Sequence, residues 1–66
     1  MEKVQKEIVL ATTGVVRWLE DEMLHIIVAS EGKVFNYTVY DTNDEFSEVD
    51  GGEFTGSAKE AIEFFT

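Results

Sequence analysis

The run from Leu24 to Val39 constrains the fold more than any other segment, because its apolar residues alternate about Glu31-Gly32 like the two arms of a β-hairpin. With Glu31 and Gly32 as a two-residue loop, Val28 faces Phe35, Ile26 faces Tyr37 and Leu24 faces Val39. Those three apolar pairs fall on one side of the ribbon. The other side receives Ala29/Val34, Ile27/Asn36 and His25/Thr38, a more mixed set. One buried face and one partly wet face is the pattern of an antiparallel sheet.

Upstream, Val15 to Leu19 reads as another strand, joined to Met23 through the acidic turn Glu20-Asp21-Glu22. Three acids in a tight turn stay in water. Glu7 to Thr12 is rich in β-formers and is interrupted by Gly14. Residues 7–19 therefore read as one long kinked strand, or as two strands turning at Thr13-Gly14. Val4 and Ile8 also have helical spacing, which allows a short amphipathic start. Gly51-Gly52 reads as a turn, since no lysine lies nearby to make it a phosphate cradle.

The C-terminal segment is read more directly. Ser57-Ala-Lys-Glu60 matches a capping box, in which serine and glutamate satisfy each other's backbone N–H groups. Ala58, Ala61, Ile62 and Phe65 then recur on one helical stripe, with Phe64 at its edge. So short a helix is not stable alone and must dock on the sheet. The expected architecture is α+β: an antiparallel β-meander of three to four strands, an acidic loop, and one short C-terminal helix packed on the sheet.

A chain of 66 residues allows one domain, spanning 1–66, with a small core. It has no cysteine and a single histidine, so disulfides and the usual structural zinc sites are excluded. Self-association is the stabilising device that remains, and a homodimer is one expectation. The first residues are charged and the apolar run Ile8 to Ala11 is short, so the chain reads as soluble and cytoplasmic.

The formal net charge is −9 and is unevenly placed. Residues 1–40 carry a net of −2 and residues 41–66 a net of −7. Such a surface lacks the basic face that nucleic-acid backbones or anionic membranes require. Between Asp41 and Glu53 stand six acids (Asp41, Asp44, Glu45, Glu48, Asp50, Glu53) and no base.

These acids allow three chemical readings. As an EF-hand starting at Asp41, the segment puts Phe46 where glycine is needed and Gly52 where the bidentate glutamate belongs. A looser cation site of Asp41, Asp44 and Asp50 has no motif behind it. A glycosidase-type carboxylate pair carries no specificity in a chain with 14 acids. His25 reads as a half-buried sheet histidine, and no serine sits in a nucleophile-elbow context. No catalytic residue, metal or cofactor is expected.

Trp18, Tyr37, Tyr40 and Phe46 are aromatic candidates for core or interface packing. Trp18 and Tyr40 are expected to be the partly exposed pair, able to anchor a partner that the acids steer. The acidic run serves either solubility alone or a basic protein partner. In the second case, alternate residues of an extended Asp44, Glu48, Asp50 row would imitate the spacing of nucleic-acid phosphates. The surface could be extended by Glu20, Asp21 and Glu22. Size and charge are similar to those of small acidic phage and mobile-element proteins that inhibit restriction or CRISPR systems, a likeness of class without a shared motif. The expected function is therefore a small acidic inhibitor that blocks a basic nucleic-acid-binding surface of a host defence protein. The alternative is a non-inhibitory interaction or structural module, dimeric through a strand edge or the Phe64/Phe65 end.

Overall fold

In the computed structural model, which describes residues 2–66, Gly14 ends a helix and not a strand. Gly14 adopts φ 80°, and its N–H donates to the Leu10 carbonyl at 2.9 Å, closing the last turn of α1 (Lys3–Thr13). That left-handed cap is the common way for a helix to stop at glycine. The kinked-strand and two-strand readings of residues 7–19 are thereby corrected. The β-branched residues Ile8, Val9, Thr12 and Thr13 favour a strand only weakly, and packing overrides them. Val4 and Ile8 share the helix as their spacing allowed, but they point to water, 64% and 59% exposed. Lys6 and Leu10, another i, i+4 pair on the opposite side, face the sheet instead.

Four strands follow: β1 (Val15–Glu20), β2 (Met23–Ser30), β3 (Val34–Asp41) and β4 (Ser47–Thr55). They form one antiparallel sheet in the order β1-β2-β3-β4, and α2 (Ala58–Phe65) closes the chain. The α+β meander with a short C-terminal helix is as expected, with a second helix added at the start.

The β2–β3 loop is one residue longer than the apolar pattern suggested. Glu31, Gly32 and Lys33 all lie in the turn, Gly32 at φ 73° and Lys33 at φ 62°, so Ser30 pairs with Val34. A one-residue slip moves every side chain of one arm to the other face. Phe35, Tyr37 and Val39 do face inward, but their partners are Ala29, Ile27 and His25, not Val28, Ile26 and Leu24.

The core lies between this inner face and the two helices. Leu10 of α1, Val16 and Trp18 of β1, Ile27 of β2, Phe35 of β3, and Ala61 and Ile62 of α2 form its buried cluster. Lys6 is buried with them, its Nζ 4.1 Å from the Trp18 ring centroid. Its aliphatic stem covers the indole while the ammonium sits on the ring face.

The Gly51-Gly52 pair is strand, not turn, as part of β4. Gly52 lies opposite Tyr37, and a Cβ there would stand 3.3 Å from Phe65 Cε1. Its bare backbone gives Phe65 room to stack on Tyr37, with ring centroids 4.5 Å apart. The capping box of α2 is formed: Ser57 N–H donates to Glu60 Oε1, and Glu60 N–H donates to Ser57 Oγ, both at 3.2 Å. The Ser57 backbone N–H first, and then its side chain, hold the Glu60 carboxyl below its ordinary range.

Candidate functional site

In a four-stranded meander the first and third turns share one end of the sheet. Here both turns are acidic. Asp21 and Glu22 form the two-residue β1–β2 loop, with φ 51° and 64°, the paired left-handed geometry of a type I′ turn. The β3–β4 turn, residues 42–46, also places Glu45 and Phe46 at positive φ, 54° and 58°. Each such non-glycine residue costs about 1 kcal/mol or more.

The two turns are fastened to each other. Thr42 donates to the Glu22 carbonyl from its backbone N–H at 3.1 Å and from its hydroxyl at 2.7 Å. The Asn43 side-chain amide donates to the Glu22 carboxylate. Within the second turn, Asn43 N–H donates to Asp41 Oδ1 and the Ser47 hydroxyl to Asp44 Oδ2, both at 2.9 Å. Asp41 and Asp44 thus hold their own turn with part of their hydrogen-bonding capacity, as Asx residues do.

Of the residues singled out above, Asp44, Glu45, Glu48, Asp50 and Glu53 are exposed, and Asp41 is half-buried. They do not lie in one loop. Glu48, Asp50 and Glu53 belong to β4, an edge strand, so the acidic loop is corrected to a turn followed by a strand. A β-bulge leaves Val49 without a partner, so Glu48 pairs with Tyr40 and Asp50 with Val39. The bulge puts Glu48 on the outer face and Asp50 on the inner. The simple alternating row of Asp44, Glu48 and Asp50 is not formed.

The structure brings together Glu20, Asp21 and Glu22 with Asp41, Asp44, Glu45, Glu48 and Asp50 around one end of the sheet. Glu53 stands farther along β4, opposite Asn36. Lys33 lies at the opposite end, where its carbonyl accepts from Gly56 N–H beside the start of α2.

Tyr40 is half-buried on the outer face, partly exposed as expected. Trp18 is not: it is 7% exposed beneath Lys6, so it is withdrawn as a partner anchor. The cause is register, which places Trp18 beside His25 on the inner face, their rings parallel and 4.9 Å apart. His25 is half-buried, and its Nδ1 lies 2.7 Å from the Tyr37 hydroxyl. Burial first, then the charges of Asp50 and Glu20, push the Tyr37 phenol above the usual tyrosine range.

Among the described residues, no three His, Asp or Glu side chains are placed to hold a metal ion. Among the same residues, no helix is long and apolar enough to cross a membrane. Thr42 and Asn43, which clamp the two turns, carry no sequence signal of their own; their role depends on a turn 20 residues away. Compared with protein-family models, with curated proteins and with solved structures, the chain matches none of them.

Proposed function

We propose that this protein binds a basic surface of another protein through the acidic end of its sheet, and that it thereby competes with nucleic acid for that surface. The observation that supports this reading best is the clamp of Thr42 and Asn43 onto Glu22. It holds two acidic turns in one place, where unlinked turns would drift apart under mutual repulsion. Solubility needs only net charge, not charge held in a fixed arrangement.

The mimic works by electrostatics. A channel built to take phosphates presents Lys and Arg side chains, and carboxylates set about 10 Å apart from turn centre to turn centre can neutralise several of them. Ions released from the basic partner then make binding weaken as salt rises. Asp21, Glu22, Asp44 and Glu45 form the front of this surface. Glu20, Asp41, Glu48 and Asp50 add to its field from behind, and Tyr40 is the aromatic at its outer edge.

The test is capture from a cell lysate with the wild-type chain and with a variant carrying Asp44→Asn, Glu45→Gln, Glu48→Gln and Asp50→Asn. The wild type should retain a nucleic-acid-binding protein that elutes as salt rises from about 50 to about 200 mM. Equal retention of that protein by the neutralised variant would end the proposal.

A further inference from the structure

Both helices pack on the inner face of the sheet, and none of the described residues covers the outer face. Register arranges that face as four rows: Ser30–Val34–Thr55, Val15–Val28–Asn36–Glu53, Arg17–Ile26–Thr38–Gly51, and Leu19–Leu24–Tyr40–Glu48. Leu19 is 65% exposed and Val28 40%. Leu24, Ile26 and Tyr40 are half-buried by their neighbours alone. The apolar residues thus gather on β1 and β2 (Val15, Leu19, Leu24, Ile26 and Val28), and β3 adds Val34 and Tyr40 beside Asn36 and Thr38. The one base of the face, Arg17, stands on β1 at one edge, and its acids, Glu48 and Glu53, stand on β4 at the other.

We infer that this face docks on the same face of a second copy, about a two-fold axis that runs parallel to the strands between β2 and β3. This goes beyond the expected dimer through a strand edge or the Phe64/Phe65 end, because it names the surface and the symmetry. The axis carries β1 of one copy over β4 of its partner while keeping the rows in step. Each Arg17 then lies over Gly51, which has no side chain to obstruct it, between Glu48 and Glu53. The Glu48 carboxylate already leans that way, 3.9 Å from where a Gly51 Cβ would be. β2 of each copy then lies over β3 of its partner, with Leu24 over Tyr40, Ile26 over Thr38 and Val28 over Asn36, while Val15 and Leu19 meet the stems of Glu53 and Glu48. A mixed centre with a charged rim is common in interfaces that are not permanent.

An axis across the strands would instead set β4 on β4 with its direction reversed, so that Glu48 of one copy confronts Glu53 of the other. Area sets the strength of the contact. Six residues by four strands make a face of about 20 Å by 19 Å. Two such faces withdraw roughly 800 Å² from water, below the about 1,000 Å² of a stable contact, so the dimer forms only at high concentration. A second sheet covers the face that the two helices leave open. Because the axis runs along the strands, the two acidic ends emerge side by side.

Sedimentation equilibrium from about 10 µM to about 1 mM at about 150 mM salt tests this directly and needs no other partner. The expected result is a mass rising from 7.5 kDa towards twice that value. Val28→Glu and Leu19→Glu, at exposed positions outside the core, should each weaken the dimer at least tenfold while leaving the circular dichroism spectrum unchanged. Arg17→Glu should weaken it similarly, and Glu48→Lys with Glu53→Lys in the same chain should restore it. Phe64→Ser should leave it intact. A monomer at the highest concentration overturns the inference. So does a dimer broken by Phe64→Ser or indifferent to Val28→Glu, which would place the contact elsewhere. Failure of the charge reversal to restore association rules out the proposed axis.

Discussion

Replacing Gly52 with valine tests whether residues 51–53 are the strand that seats α2. A Cβ at Gly52 already stands 3.3 Å from Phe65 Cε1, and the two valine methyls reach about 1.5 Å farther towards the ring. Phe65 must then tilt off Tyr37, losing a stack at 4.5 Å that is worth about 0.5–1.5 kcal/mol. Forcing an extra side chain into a packed site costs about 1–3 kcal/mol. The expected loss is therefore about 2–3 kcal/mol. A domain of this size is stable by only roughly 3–10 kcal/mol.

Guanidinium unfolding followed by circular dichroism measures the loss as a lower midpoint with an unchanged slope. The decisive control is the same substitution in a Phe65→Ala chain, where the obstructing ring is gone. There valine should cost at least about 1 kcal/mol less than in the wild type, a coupling expected only between touching residues. If Gly52→Val is as stable as wild type, or if its cost is the same with and without Phe65, then Gly52 is not beneath that ring and the β4–α2 contact is misassigned.

Two further perturbations probe other parts of the fold. Ser57→Ala removes the hydroxyl that caps α2 and should cost about 1 kcal/mol, seen as a Tm lower by about 4–8 °C; an unchanged Tm would refute the cap. Tyr37 is held above its ordinary range, so the folded state binds its phenolic proton more tightly than the unfolded chain does. Its contribution is complete below the ordinary tyrosine value, about 10, and is lost as pH rises through the folded value. Absorbance at about 295 nm against pH should therefore show one late-titrating tyrosine that disappears in Tyr37→Phe. If the late step survives that substitution, Tyr37 is not the perturbed group.

How much of this was legible in the sequence varied with the range of the signal. α2 was readable because Ser57, Glu60 and the Ala61/Ile62/Phe65 stripe are local: the cap and the docking face sit within nine residues. The inward set Phe35, Tyr37 and Val39 was readable from alternation, but its pairing was not. Whether Lys33 joins the loop depends on a left-handed turn that the residue type does not favour, and that choice decided which face carried Ile27. The sequence of β4 points to a loop because Glu48, Asp50, Gly51, Gly52 and Glu53 are all poor strand formers. Its pairing with β3 and the cover of Phe65 override those preferences. α1 was masked by its β-branched residues, although Gly14, taken there for a strand break, was the marker of its end. The acids from Asp41 to Glu53 stood out at once, whereas their union with Asp21 and Glu22 followed only from the topology of the meander.

The central claim is that the acidic end occupies a surface otherwise taken by nucleic acid. It is tested most directly by competition on the captured partner, using a fluorescent duplex DNA and increasing amounts of this protein. The account predicts that the wild-type chain displaces the DNA to completion, and that the chain neutralised at Asp44, Glu45, Glu48 and Asp50 does not. A ternary complex, with DNA and this protein bound to the partner at once, would contradict it.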